Sequence, residues 1–219
     1  MSLSERVVAA VSLTTREGTA RMLHGHRVGG PTGPPSQSMR NEEGEVDFRH
    51  RRARYPHTQV VREKRYPGET MWDGPRIYFR GSAAEEWDQV PLVGKPAGAV
   101  PYSSPLWLLD ALCGARADAQ VIAEETVRGV PASHIRLTVD TAKARDGSPE
   151  GLGFPRTPAE AFPAEVWLDE RGRICRMSCV WPRKARRWRW KRFGPPHWVF
   201  TEVWDFGIPA DIPAPRGDV

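Results

Sequence analysis

The sequence predicts an α+β protein built on a strongly twisted antiparallel β-sheet that wraps around a few helices. Three observations support this class. Most of the chain alternates apolar and polar residues with a period of two, which is typical of half-buried strands. Hairpin-type turns separate these segments, and only two segments carry helix signals. Because the sheet has to bury its apolar face, we expect the helices to cover that face.

Both helix candidates carry recognisable end signals. Ser2 and Glu5 have the spacing of a capping box, and valines follow them at helical spacing. In the segment SSPLWLLDALCG, Ser104 is the predicted N-cap, Pro105 the first helical residue and Gly114 the stop. The apolar residues of this second helix extend beyond one narrow stripe. This suits a helix with core on one side and a pocket on the other.

The strands follow from the alternation and from the turns between them. The segments that alternate are 20–28, 46–55, 58–66, 76–81, 119–129, 133–142, 164–169, 173–181 and 198–206. Two hairpins are predicted, one turning around 129–131 and the other around 169–172, where Gly172 supplies a positive φ. The Gly-, Pro- and Ser-rich stretches 29–38 and 144–160 are predicted loops.

The chain is expected to form one domain with an accessible apolar interior. Its 219 residues suit a single domain, and no repeat or linker divides them, so residues 1–219 are assigned to one domain. A twisted sheet around a few helices leaves an apolar interior that is open at one end. That geometry is typical of a ligand pocket.

The positive charge of the chain is concentrated in one segment. The net charge is +5, but residues 183–192 alone hold seven Lys and Arg, so the remainder is slightly acidic. Alternation predicts a strand here, with Arg187, Arg189 and Lys191 on one face and two tryptophans on the other. A solvated face is the favoured interpretation. An anionic membrane surface and, less favoured, nucleic acid are the alternative partners for these cations.

The cysteines and the N-terminus suggest a reducing compartment. Cys113, Cys175 and Cys179 form no CxxC pair and are predicted to be buried small hydrophobic residues. In a regular strand Cys175 and Cys179 would share a face about 13 Å apart, too far for a disulfide. The sequence has no signal-peptide pattern and no membrane-spanning window, so as given it predicts a cytoplasmic protein. A chain whose export signal had been removed would look the same and would be extracytoplasmic.

No motif indicates catalysis, a metal site or a cofactor. The chain contains no nucleophile or metalloprotease signature, and its Gly-rich stretches lack the strand–turn–helix context of phosphate-binding loops. His24 and His26 share one strand face, but no third ligand lies nearby in the sequence, so surface or satisfied histidines are favoured. The sequence therefore predicts a protein that is not an enzyme, without catalytic residues, metal or cofactor.

The order of several segments resembles a known family. The most specific are the run from Glu125 to Asp140, the hairpin WLDERGRI and the closing pattern DFG-x-P-x-x-I-x-x-P. In this order they are similar to the actinobacterial lipoproteins of the LolA/LolB-like superfamily. The resemblance implies a curved antiparallel half-barrel with helices on its concave face, in which lipids are carried or sensed without chemistry. The chain departs from the family in lacking a secretion signal and a lipid-attachment cysteine near its start, and in carrying the basic segment 183–192.

Six positions are predicted to line this concavity. They lie on the second helix and on three predicted strands: Leu106, Trp107, Leu109, Leu137, Trp167 and Val203. Burying apolar ligand surface there would contribute about 25 cal/mol per Å². The expected partner is a lipid or another hydrophobic small molecule, or the fold serves as a sensor or partner-binding module, with the oligomeric state left open. Binding of nucleic acid or an anionic surface through 183–192 is the alternative function.

Overall fold

Eleven strands form one open antiparallel sheet among the residues that the computed structural model describes, which are 1–28, 40–61, 64–81, 86–89, 104–148, 160–181 and 197–214. The strands are β1 Thr19–Val28, β2 Arg40–Asp47, β3 Arg52–Val61, β4 Lys64–Asp73, β5 Arg76–Gly81, β6 Asp88–Gln89, β7 Gln120–Val127, β8 Val130–Asp140, β9 Ala161–Asp169, β10 Ile174–Trp181 and β11 His197–Trp204. Their order in the sheet is β6-β5-β4-β3-β2-β1-β11-β10-β9-β8-β7. Since β6 and β7 are the two edges, the sheet is not closed, and the predicted α+β class is confirmed.

In the part of the chain that the structure describes, three helices and one 3-10 turn accompany the sheet. They are α1 Leu3–Arg16, α2 Trp107–Ala111, the 3-10 turn Leu112–Gly114 directly after it, and α3 Thr141–Gly147. The predicted capping box of α1 is present, because Ser2 Oγ accepts the N–H of Glu5 and the Glu5 carboxylate accepts the N–H of Ser2. Within the described ranges, none of the helices combines the length and the apolar character needed to cross a membrane.

The start of α2 and the presence of α3 differ from the prediction. Helix α2 begins after Leu106, while Ser104 Oγ accepts only the N–H of Leu106 at 3.4 Å, so Ser104 is not the N-cap. Helix α3 replaces the end of a predicted strand and the start of a predicted loop. Its cap is Asp140, whose carboxylate accepts the N–H groups of Ala142 and Lys143 at 3.0 and 3.1 Å. An aspartate at a strand end is the N-cap signal that alternation alone does not reveal.

The predicted strand 46–55 is wrong, because a tight turn divides it between β2 and β3. The Asp47 carboxylate accepts the N–H groups of Arg49 and His50 at 2.9 and 3.1 Å, and Arg51 adopts a φ of 55°. Such side chain–backbone bonds build a turn inside a segment that still alternates. The predicted strand TQVVREKRY likewise spans the connection from β3 to β4.

The two predicted hairpins are present, and one has a shorter turn than expected. Val127 pairs with Val130, so Arg128–Gly129 alone connects β7 to β8. The φ angles of these two residues, 49° and 83°, are both left-handed, as a type I′ turn requires. In the β9–β10 turn Gly172 has the predicted positive φ of 78°, and its N–H donates to the carbonyl of Asp169 at 2.8 Å.

One face of the sheet packs against the helices. Alternate side chains of the strands join α1, α2 and α3 in one large apolar cluster, and we call this side of the sheet the inner face. The opposite side is the outer face. It carries two smaller apolar clusters, made of Val127, Ala132, Trp167 and Cys175, and of Met71, Tyr78 and Ile212.

A β-bulge at the start of β10 overturns one expectation about the cysteines. Ile174 pairs with Leu168 and Arg176 pairs with Trp167, which are consecutive residues of β9. Cys175 is therefore an extra residue in β10. The bulge reverses the alternation. Cys175 therefore lies in the outer cluster and Cys179 in the inner one, and the prediction that they share a face is wrong. Both are buried, as predicted.

We expect the thiols to differ strongly in reactivity. Burial raises the pKa of Cys175 to about 11 and raises that of the fully enclosed Cys179, and the thiolate is the reactive form. Cys113 is only half-buried, although its pKa is also raised by burial. In native protein Ellman's reagent should therefore modify Cys113 first, and all three thiols only in urea. Rapid labelling of a Cys113→Ser variant would contradict these assignments.

Thr14 of α1 supports the backbone at the bulge. Its hydroxyl accepts the N–H of Ile174 at 2.9 Å and donates to the carbonyl of Ala10 at 2.7 Å, and the side chain is fully buried. We expect Thr14→Val to lower the free energy of unfolding by about 1–3 kcal/mol, because a buried N–H loses its acceptor. Urea unfolding measures the loss. Thr14→Ser keeps the hydroxyl and should retain most of the stability; equal losses in both variants would contradict the role of the hydrogen bond.

Candidate ligand-binding concavity

The helices are packed closely over the inner face. Val7 and Ala10 of α1 are fully buried in the inner cluster, and α1 contacts β9, β10 and the 3-10 turn. Helix α3 packs on α2 and on the same 3-10 turn. Gly114 is required at this crossing, since a Cβ there would lie 2.4 Å from the carbonyl oxygen of Asp140. The predicted helix stop is therefore also a point of close backbone approach.

Residues 107–114, comprising α2 and the 3-10 turn, form an apolar plug over the inner face. Every residue of α2 is buried, so the helix is enclosed on all sides. Trp107 is the largest fully buried side chain, and its ring centroid lies 6.3 Å from that of Phe162 on β9. The expected division of this helix into a core side and a pocket side is not present in this conformation. The plug occupies the space that the sequence assigned to a ligand.

One buried ion pair fastens the plug to the rest of the protein. Arg51, on the turn between β2 and β3, donates from Nη2 to the Asp110 carboxylate at 2.5 Å. Ser148, at the end of α3, donates its hydroxyl to the same carboxylate at 3.4 Å. Burial raises the pKa of Asp110, and the guanidinium of Arg51 opposes that rise. The pair therefore holds α2, the β2–β3 turn and α3 together, and desolvation of the carboxylate opposes its net contribution.

A polar row crosses the inner face in register on three adjacent strands. His24 of β1 pairs with Thr201 of β11 on one side and with Glu42 of β2 on the other, and all three are buried. His24 Nδ1 lies 3.0 Å from Thr201 Oγ1, so the expectation of a satisfied histidine holds for His24. On β3, Tyr55 donates its hydroxyl to Met22 Sδ at 3.2 Å. Burial and the Glu42 carboxylate raise the pKa of Tyr55 well above its usual value, which keeps the phenol neutral.

The structure brings five of the six predicted lining residues together. Leu106, Trp107, Leu109, Leu137 and Val203 all belong to the inner cluster, and each is at most 2% exposed. These five are therefore buried core residues in the described conformation. The sixth residue, Trp167, lies on the outer face. Arg187, Arg189 and Lys191 lie outside the described residues, as does the strand predicted there.

Trp167 is part of a separate outer-face group. Its ring stacks on His134 with centroids 3.9 Å apart, and its indole N–H donates to Glu125 at 2.9 Å. The other Glu125 oxygen lies 2.9 Å from His134 Nδ1. These contacts connect the edge strand β7 to β8 and β9, so Trp167 stabilises the sheet edge.

The same group makes stability depend on pH. The hydrogen bond from Trp167, followed by that from His134, lowers the pKa of Glu125. Its ionised form therefore stabilises the native state above the unfolded-state pKa, and this contribution is lost as pH falls through the lower folded-state pKa. Since Glu125 is 41% exposed, we expect less than about 1 kcal/mol. Urea unfolding at neutral and acidic pH should show a smaller acid loss for Glu125→Gln than for the unmodified protein; identical acid losses would contradict this role.

The polar groups that position the plug were not predicted from the sequence. Arg51 and Asp110 are 59 residues apart, and nothing local links a turn arginine to an aspartate in an apolar helix. The one available signal is Asp110 itself, a charged residue inside the apolar run LWLLDALC. Buried charges are nearly always paired, so this position calls for a basic partner even where the sequence does not identify it.

Solved structures share this architecture, although neither a protein-family model nor a curated protein sequence matches the chain. The lipoprotein LppX from Mycobacterium tuberculosis aligns over 95% of this chain and 99% of its own, with a TM-score of 0.51 and 14% identity. LprF from Mycobacterium bovis aligns over 98% and 97%, with a TM-score of 0.53 and 14% identity. At this identity the likeness concerns the fold. The chain thus has the fold of LppX and LprF, an open antiparallel sheet with helices on one face, as the sequence resemblance implied.

Proposed function

We propose that this protein is a non-enzymatic binding protein, formed by one domain over residues 1–219, that holds a lipid or another hydrophobic ligand in the inner-face concavity. The observation that carries the proposal is the composition of this region. Sheet, plug and helices meet in one continuous apolar cluster, with the polar row of His24, Glu42 and Thr201 on the same face. An apolar enclosure with a few placed polar groups is typical of ligand sites.

Ligand entry on this proposal requires displacement of the plug. The five residues of α2 and the three of the 3-10 turn fill the concavity in the described conformation. Their apolar contacts with the inner face are of the same kind that an acyl chain would make, so a ligand can replace them at little net cost in buried apolar surface. The Arg51–Asp110 pair is the polar contact that this movement has to break.

Titration with the neutral fluorescent probe N-phenyl-1-naphthylamine tests the proposal. We expect saturable binding to the unmodified protein, and tighter binding to an Asp110→Asn variant, whose plug has lost its ion pair. Thr14→Val is the matched control, because it also lowers stability but its hydroxyl bonds to β10 and α1 and makes no bond to the plug. Near-ultraviolet circular dichroism checks that each variant keeps native packing. No binding to any of the proteins, or equal gains in Asp110→Asn and Thr14→Val, would overturn the proposal.

A further inference from the structure

A second cavity lies at the end of the sheet, between residues of the outer cluster and residues of the inner cluster, and we call it the outer cavity. It has a volume of about 330 Å³ and is formed by the β7–β8 turn, the β9–β10 turn and the end of β11. Its apolar wall includes Val127 and Cys175 of the outer cluster and the half-exposed Val130, and Val203 of the inner cluster also reaches it. This volume falls in the range of small-molecule sites.

The β7–β8 turn closes this cavity by reaching across the sheet. Arg128 Nε donates to Glu202 of β11 at 2.8 Å, although β8, β9 and β10 lie between these elements in the sheet order. The β7–β8 turn therefore lies against the end of β11 at this corner. The Arg128 guanidinium also lies over the ring of Trp204, 3.6 Å from its centroid, which fixes the guanidinium plane at the cavity wall.

The two arginines of the cavity differ in their remaining hydrogen-bonding capacity. Arg173 also lies over an aromatic ring, that of Phe206 at 4.3 Å, but its guanidinium donates twice to Asp169 at 2.8 Å and once toward Glu17 at 3.4 Å. Arg128 makes the single bond to Glu202. No other described acceptor lies within hydrogen-bond distance of its terminal nitrogens, and Glu43 is 4.0 Å away.

Arg128 shares its carboxylate partner with a second arginine. Glu202 is shared, since its other oxygen accepts two bonds from Arg176 at 2.6 and 2.9 Å. Two guanidinium groups thus share one carboxylate. Two acids of the cavity wall pair with other arginines, Asp169 with Arg173 and Asp205 with Arg21. Glu43 is 56% exposed and 4.0 Å from Arg128, so it contributes little to holding that guanidinium.

The backbone of Arg128 provides an independent observation. A φ of 49° at the first position of a type I′ turn favours Asn, Asp or Gly, and a long side chain there is strained. An arginine in this conformation places its guanidinium over the cavity and beside Trp204. Strain that persists at a cavity wall is a marker of a functional position.

From these observations we infer that the outer cavity binds a small organic anion with one carboxylate and a compact apolar body. The carboxylate accepts two hydrogen bonds from the terminal nitrogens of Arg128, a geometry that suits the planar guanidinium. The apolar body lies against Val127, Val130 and Cys175. Neutral analogues lose the charge-assisted bonds and bind more weakly.

Two-dimensional ¹H–¹⁵N NMR with 2-naphthoate and its neutral analogue 2-naphthalenemethanol tests this inference. We expect 2-naphthoate to shift the amides of residues 127–130 and the indole resonance of Trp204, with a Kd of about 1 mM or tighter. The neutral alcohol should bind about tenfold more weakly. Equal affinities for the two compounds, or an absence of shifts at these positions, would overturn the inference.

Arg128→Asn is the matched variant, because asparagine tolerates the positive φ and the turn is retained. It should weaken 2-naphthoate binding about tenfold and leave binding of the neutral alcohol unchanged. Arg171→Asn, on the neighbouring turn but outside the cavity wall, should leave both affinities unchanged. If Arg128→Asn binds 2-naphthoate as before, or if the shifts fall only on inner-face residues such as Leu137, the outer cavity is not the site.

Discussion

We expect Trp107→Ala to lower the free energy of unfolding by about 3–5 kcal/mol, because it removes a fully buried tryptophan from the core and leaves a cavity behind. Trp107 is 1% exposed, and its ring packs near Phe162 at the centre of the inner cluster. The neighbouring side chains belong to a sheet and three helices, so they cannot all relax into the vacated space. Chemical denaturation followed by circular dichroism measures the loss.

Trp198→Ala supplies the comparison for this prediction. Trp198 is a half-buried residue of β11, stacked on Phe200 with ring centroids 4.7 Å apart. Its removal should cost about 1 kcal/mol, the contribution of a partly exposed aromatic pair. If the two substitutions cost the same, Trp107 is not enclosed as described. Trp107→Phe preserves most of the volume and should cost less than Trp107→Ala.

The second large effect is expected at the ion pair that holds the plug. Asp110→Ala leaves Arg51 without its carboxylate, and breaking a buried pair costs about 3–5 kcal/mol. Arg51 keeps 19% of its side-chain surface exposed, so we expect the lower part of this range, about 2–3 kcal/mol. Arg51→Met should cost a similar amount, since it leaves Asp110 buried without its cation.

A double-mutant cycle separates the pair from its surroundings. The combined variant Arg51→Met/Asp110→Leu removes both charges of the pair, so neither is left buried without its partner. It should recover most of the stability that either single variant loses. Losses that simply add in the double variant would show that the two residues act independently. The plug would then be held by apolar packing, and breaking the ion pair would not limit its displacement by a ligand.

Alternation of apolar and polar residues predicts a strand correctly only where no turn or bulge interrupts the pairing with neighbouring strands. The prediction for 76–81 matches β5, and the segment AEVWLD lies within β9, because no turn or bulge interrupts the alternation of inner-face residues such as Ile77 and Val166. The alternation of 46–55 continues through a turn that the Asp47 side chain builds. At Cys175 a bulge adds one residue and reverses the two faces. Such events depend on hydrogen bonds that no hydrophobic period records.

The burial of most candidate-site residues was predictable from the sequence, but their polar contacts were not. Apolar periodicity identified Trp107 and its neighbours as buried, but an enclosed core and an open pocket are lined by the same residue types. Trp167 could have been assigned correctly, since it alternates with Val166 and Leu168, which face the inner cluster. The Arg51–Asp110 pair could not, because their proximity follows from the sheet and helix packing together.

Photo-crosslinking with a diazirine-bearing long-chain alcohol tests the central claim most directly, because it reports where a hydrophobic ligand lies. The proposal predicts adducts on the inner-face segments that the plug covers, β8 around Leu137 and β9 around Phe162. Excess unlabelled long-chain alcohol should suppress these adducts. Adducts confined to outer-face peptides, or labelling that competitor does not reduce, would contradict a hydrophobic site in the concavity.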